Sequence, residues 1–450
     1  MVKEERGKDE IGGIYMEELT NDMFSFLDKS VSPFHAVSEA VKLLEKEGYA
    51  GINENGNINL EFGGRYYVTR GESSIISFRI PYGRPLCYHI TAAHSDSPAF
   101  VLKKAAAGKG PYAKASVEKY GGMIMSSWLD RPLGLAGRII ADTGDGVETR
   151  LFDSGKEVMV IPNLAIHFNR EINDGYKYNP HVDMQPVYGM KSDIMKSIAD
   201  NMGICISDIV QTDLQLYCSQ KAVTVGFDDE FYMSPRIDDL ASSFLSLKAF
   251  IDGEETNSIP VWCMFDSEEV GSGTRQGAMG TFLPDIMYII DSMYGTDLSG
   301  LRKLRNSGLL VSVDNAHATH PNLPGKSDEA HPVYLNAGVV IKHNANAKYT
   351  TTGLTSAVFE KICKESGVPV QHFANRADIA GGSTLGNLLS RQVSMPMVDV
   401  GLAQLAMHSA VETAGVDDAC YMYRALKAFY SGNVRQTEDG RFDVRLIPDS

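Results

Sequence analysis

The run from Ile259 to Phe265 is apolar and β-prone, and it breaks into Asp266-Ser267-Glu268-Glu269-Val270-Gly271-Ser272. A strand that is apolar along its whole length is buried on both faces, which places it inside a covered, largely parallel sheet. Its carboxyl end opens on adjacent acids and a glycine turn, where open α/β sheets keep their ligand sites. Alone, an acidic pair at a turn reads as a solvated turn. Here the pattern recurs. Leu86 to Ala92 is a second such run and leads into Ala93-His94-Ser95-Asp96-Ser97-Pro98, and Gly308 to Val313 is a third, ending in Asp314. Ser74 to Ile80, Val339 to Lys342 and Met397 to Val400 are further candidate strands.

Helical spacing separates these runs. It covers Glu17 to Leu27; Phe34 to Leu44, behind a Ser32 N-cap and Pro33 and ahead of Gly48; Asp238 to Phe250; Glu360 to Gly367; and Asp418 to Tyr430. The chain is therefore expected to be α/β, a mixed sheet flanked by helices. From about 99 to 230 the texture changes to short strand-like pieces with Gly and polar turns, such as Val158 to Ile166 and Leu214 to Val225. That segment reads as an inserted β-rich domain, splitting the α/β domain into 1–98 and 231–450. His167 closes the run Ile161 to Ile166 and reads there as a packed histidine. Residues 1–13 are polar and expected to fray.

Composition narrows the function classes. The 450 residues are 43% hydrophobic and 22% charged, with a formal net charge of -15. That charge disfavours nucleic acid and anionic membranes as partners. No apolar run approaches the ~20 residues of a membrane span. The N-terminus shows no signal-peptide pattern, and the six scattered cysteines suit buried thiols in a reducing cytoplasm. There is no GxxxxGK[ST], and an acidic pair beside the glycines after Glu269 would repel phosphate.

His94, Asp238, Glu269, Asp314 and His408 make a set suited to two metal ions. Asp238 would bridge, with His94 and Asp314 on one ion and Glu269 and His408 on the other. Nitrogen and oxygen donors suit zinc, while cobalt and manganese accept the same mixture. Two dications balance three carboxylates and a hydroxide, a charge state a buried pocket tolerates. A carboxylate near a ligating imidazole fixes its orientation, a role open to Asp96. Each motif has a plain structural alternative: HxD as a turn, and Asp238-Asp239 as acids favouring a helix dipole. Glu268 is the spare carboxylate, placed to accept a proton from an activated water.

These stretches, with Ser234-Pro235-Arg236-Ile237-Asp238, Asp314-Asn315-Ala316-His317-Ala318-Thr319-His320-Pro321-Asn322, Gly381-Gly382-Ser383-Thr384 and Met407-His408-Ser409, resemble the aspartyl aminopeptidases. Those are di-zinc exopeptidases that also include the yeast vacuolar aminopeptidase. The likeness runs in family order from about Phe24 to Tyr430. It implies the five ligands above, Asp96 orienting His94, and Glu268 as general base. It also implies that the segment near 99–230 mediates dimerisation, and that dimers build a tetrahedral dodecamer. His167 would reach a neighbouring subunit's active site, and His320 would contact substrate in the same way. Two residues depart from the pattern: Asp239, where relatives often carry asparagine, and Asn315, where they often carry an apolar residue. Neither removes a ligand.

The expected activity is removal of the N-terminal residue from peptides with a free N-terminus. Lys342 resembles a lysine that relatives preferring Asp or Glu place near substrate; its alternative is a solubilising charge at a strand edge. Three other readings stand beside this one: a neutral or broad aminopeptidase, a carboxypeptidase or deacylase of related fold, and a non-catalytic metal-binding scaffold.

Overall fold

Strand Cys87–His94 lies near the middle of a nine-stranded mixed sheet. It pairs in parallel with Ser258–Phe265 on one side and Leu309–Val313 on the other, and Leu309–Val313 pairs in parallel with Met397–Gly401. Four neighbouring strands thus run the same way. Their carboxyl ends lie along one edge, and those ends carry His94, Asp266 and Asp314. Antiparallel strands extend the sheet at both sides, through Ser74–Arg79 and Val339–His343.

The period-2 alternation of the strands explains the layers. Ile259, Val261, Cys263 and Phe265 point to one face, against Phe282, Leu283, Ile286, Met287 and Ile290 of helix Phe282–Met293. Trp262 and Met264 point to the other, under helices Ile237–Asp252 and Val416–Ser431. Full burial of each large apolar side chain contributes about 1.5–3 kcal/mol, so both helix layers are held firmly on the sheet.

The computed structural model describes residues 10–11, 14–106, 111–190, 192–295 and 297–446. Most of the stretch expected to fray, residues 1–13, falls outside them; Glu10 and Ile11 are described and pair with Tyr15 and Ile14. Strands drawn from Ala99 to Cys218, with Val187–Gly189 at one edge, form a separate six-stranded antiparallel sheet with its own apolar cluster around Phe100, Trp128, Leu135 and Ile139. A five-stranded sheet joins Val223–Val225 and Phe231–Ser234 to Glu412–Gly415, Ala403–Leu405 and Ala316–His317. The expected strand from Val158 to Ile166 is not formed. Met159, Val160 and Ile161 make isolated bridges and the chain then turns, its exposed Pro162 and Asn163 favouring a loop. Among the described residues, no helix is long and apolar enough to cross a membrane.

Ser32 caps helix Pro33–Lys46, and its hydroxyl lies 2.8 Å from His35 Nδ1. His35 therefore belongs to the cap.

Candidate metal centre

Each acid and imidazole of the site is placed by a local break in regular structure. His94 is the last residue of its strand, and Asp314 directly follows Val313. Glu268 and Glu269 open a short turn after Ser267, whose φ of 65° swings the chain away from the sheet. Asp238, the second residue of helix Ile237–Asp252, has non-helical φ and ψ, which turns its carboxylate toward the sheet edge; the Asp238–Asp239 peptide is cis. His408 sits in a loop with φ of 67°.

These residues converge. Ligand atoms of His94, Asp238 and Asp314 lie within 4.8 Å of one another, as do those of Asp238, Glu269 and His408. Asp238 is common to these two groups, and His94, Glu268 and Glu269 form a third. His94 Nε2 is 3.6 Å from Asp238 Oδ1, His408 Nε2 is 3.6 Å from Asp238 Oδ2, and His408 Nε2 is 3.2 Å from Glu269 Oε1. Yet Asp238 Oδ1 and Glu269 Oε1 are buried and accept no hydrogen bond. Buried carboxylate oxygens aimed at imidazole nitrogens without bonding to them fit a cation between them. Electrostatics agree. Burial, and after it the neighbouring Asp238, push Glu269 above the usual carboxylate range, with His408 opposing. His94 is fully enclosed, yet its carboxylate neighbours Asp238 and Asp96 overcome burial and hold it well above an ordinary imidazole. Added positive charge relieves both strains. The donor set is nitrogen and oxygen without sulfur, so the residues fit two divalent ions such as zinc, each with three protein donors.

Asp96 is held behind the candidate ligands. Its main-chain carbonyl lies 2.9 Å from His94 Nδ1, while its carboxylate is 3.5 Å away. The carboxylate instead accepts the main-chain N–H groups of Glu268 and Glu269, and the Tyr120 hydroxyl at 2.6 Å. Glu268 lines the same cavity of about 130 Å³ as the five candidate ligands. Burial pushes its carboxyl well above the usual range; the charges of Asp314 and Glu269 add to this and His94 opposes it.

Lys342 also lines this cavity. Its strand is interior to the sheet and its side chain is 3% exposed, which excludes a solubilising edge charge. Its ammonium donates to the Asn315 carbonyl at 3.0 Å, lies 3.5 Å from Asp314 Oδ1, and sits 5.4 Å from the centre of the Tyr349 ring. His167 and His320 do not join the cavity lining: both are exposed, in a turn and a loop respectively. The packed-histidine reading of His167 therefore fails. Asp239 lies behind the site and accepts the His94 main-chain N–H at 3.2 Å. Asn315 ties three segments together, accepting from Ser242 and donating to the Ile237 carbonyl and to Gln404.

Sequence reasoning passed over two buried carboxylates. Glu412 accepts the main-chain N–H of Asp238 at 3.0 Å and of His408 at 2.7 Å, so it fixes two candidate ligands at once. Asp399 is fully buried and accepts from the Thr350 and Thr384 hydroxyls and the Thr350 N–H. It thereby holds the Gly382–Thr384 loop, which lines the cavity. For Asp399 the available signal was an acid inside the apolar run Met397 to Val400, a placement that demands partners.

A sequence profile of the family described as aminopeptidase I zinc metalloprotease (M18) matches residues 26–430. A Clostridium acetobutylicum protein named probable M18 family aminopeptidase 2 is 37% identical over 427 residues, covering 92% of this chain and 99% of that protein. A chain in the cryo-EM structure of the Ape4 and Nbr1 complex superposes with a TM-score of 0.89 at 32% identity, covering 92% of this chain and 86% of that one. The S. cerevisiae mApe1 dodecamer gives 0.81 at 25% identity, with 92% and 96% covered.

Proposed function

Because the chain belongs to the aminopeptidase I zinc metalloprotease family, we propose that this metal-dependent aminopeptidase works through two ions held by His94, Asp238, Glu269, Asp314 and His408, and that it prefers an acidic N-terminal residue. The observation that carries the two-ion reading is the pair of three-residue groups sharing Asp238. When bound, such ions polarise the scissile carbonyl and bring a water's pKa down toward ~7.

The protein's own groups handle orientation and protons. Glu268, which lines the cavity beside the candidate ligands, accepts the attacking water's proton at a carboxylate oxygen and delivers it to the departing amine. Asp96 keeps the two glutamates at a set offset from His94. The buried position of the group makes its electrostatic interactions stronger than they are in water.

Lys342 supports the acidic preference, as a buried cation facing a cavity otherwise rich in carboxylates. One observation favours a second reading, a neutral or broad preference: its ammonium is already engaged by Asp314 and the Asn315 carbonyl.

Assembly into dimers, and of dimers into a dodecamer, is part of the same proposal. Its supports are the likeness to the mApe1 dodecamer and an apolar surface around His167. There Leu164 is 59% exposed and Phe168 80%, more than a lone subunit ordinarily leaves to water in one loop. In such an assembly residues 99–230 would mediate dimerisation, and His167 and His320 would approach substrate bound in a neighbouring subunit. Metal analysis of the purified protein tests the core of the proposal. Two ions per subunit in the parent and loss of ions in Asp238→Asn support it; one ion per subunit, unchanged in Asp238→Asn, contradicts it.

A further inference from the structure

A cavity of distinct chemical character lies at the opposite edge of the central sheet from the candidate metal centre. It measures about 520 Å³ and is lined by Arg84, Lys303 and Arg435, with Tyr294, Leu86 and Leu304 among its other walls. Leu86 directly precedes strand Cys87–His94, whose far end is His94. Eight residues of extended chain separate the two by about 26 Å. The cavity is therefore not an extension of the catalytic pocket.

Three features point to an anionic ligand. The chain has 57 acidic and 42 basic residues, yet this lining holds three cations and no carboxylate. The cations come from three separate segments: the loop before strand Cys87–His94, helix Leu298–Asn306 and strand Asn433–Glu438. A sequence-local charge run does not produce such convergence. Finally, Arg435 Nε and Tyr294 Oη are buried and have no hydrogen-bond partner. Unsatisfied buried donors cost about 1–3 kcal/mol each unless a ligand or water meets them. The cross-strand neighbour of Arg435 is Asp443, which lies 3.8 Å from Arg441.

We infer that this cavity is a second binding site, for a small molecule that carries a phosphate group on an apolar or ring-bearing body. Guanidinium and ammonium groups recognise phosphate by charge-assisted hydrogen bonds, and arginine can do so with two parallel bonds. Tyr294, Leu86 and Leu304 supply apolar surface for the rest of the molecule. The volume falls within the roughly 300–1,000 Å³ of small-molecule sites.

Calorimetric titration of the metal-loaded, full-length protein tests this, with adenosine monophosphate, inorganic phosphate and adenosine as probes in phosphate-free buffer. The expected result is saturable binding of adenosine monophosphate, weaker binding of inorganic phosphate and none of adenosine. Arg435→Gln should weaken the nucleotide by about tenfold or more, the worth of a charge-assisted contact. The surface double variant Arg84→Gln/Lys303→Gln should do likewise, and it guards against a folding failure of Arg435→Gln. Peptide turnover without nucleotide should be unchanged in the double variant, which separates this site from the catalytic one. Inorganic phosphate binding as tightly as the nucleotide would remove the organic body from the inference. Binding that is absent, or that persists undiminished in the double variant, overturns the site.

Discussion

Asp96 Oδ1 accepts the main-chain N–H of Glu268 at 3.0 Å. Its other oxygen takes the Glu269 N–H, and its own carbonyl faces His94 Nδ1. One residue thus sets the offset between a candidate ligand on one strand and the proposed base on the next.

Asp96→Asn turns one acceptor into a donor facing N–H and hydroxyl donors. The turn carrying Glu268 should shift, and turnover should fall about 10–100-fold, the usual cost of losing such a supporting contact. Steady-state kinetics with parallel metal analysis checks this. Parent-like turnover at full metal content would show that the turn holds itself.

Lys342 tests specificity. In Lys342→Met, kcat/KM for Asp-peptides should fall relative to Leu-peptides by about tenfold or more, the worth of a hydrogen bond to a charged group. The ratio is the readout, because loss of the contact with Asp314 lowers both values together. An unchanged ratio would favour the neutral or broad reading.

Asp399 holds the cavity loop through threonine hydroxyls. Asp399→Asn leaves buried donors unmatched and should cost about 1–3 kcal/mol of stability. KM should rise more than kcat falls, since the loop lines the cavity and carries no candidate ligand. Denaturation and kinetics on the same preparation separate the two effects.

His89 gives a pH test remote from the candidate metal centre. Its ring is wholly buried between strand and helix, tilted against the Phe429 ring, and burial lowers its pKa from 6.5 to about 4. The unfolded chain takes up a proton at its unperturbed 6.5, and the folded one only near 4. Stability from this group is complete above pH 6.5 and is lost as pH falls toward 4, by about 3 kcal/mol in all. Urea unfolding should show a steeper acid loss in the parent than in His89→Gln. Equal slopes would mean that the buried ring accepts its proton without strain.

The parts of this architecture legible beforehand follow from burial. His94 and Asp314 come at or just after the ends of buried strands, and Glu269 follows one by four residues, so continuous apolar runs expose their positions. Asp238 and His408 have no such marker. Their placement depends on a helix start with non-helical torsions and on a left-handed loop residue, and backbone geometry of that kind leaves little trace in composition. Glu412 was illegible because its partners are main-chain N–H groups of Asp238 and His408, which any sequence supplies. Val158 to Ile166 misled through its apolar content. Ile161 is buried, whereas Leu164 and Ile166 are exposed in the loop and turn that follow.

The most direct measurement is release of free amino acid from Asp-, Glu-, Leu-, Lys- and N-acetyl-Leu-peptides, after chelation and again after metal is restored, by the parent and by Glu268→Gln. Cleavage should return only with metal and only for free N-termini, with Asp- and Glu-peptides fastest. Glu268→Gln should keep its metal and lose about 10²–10⁴-fold in turnover, the usual contribution of a positioned base. Parent-like turnover in metal-loaded Glu268→Gln, or cleavage of the acetylated peptide, would contradict the account.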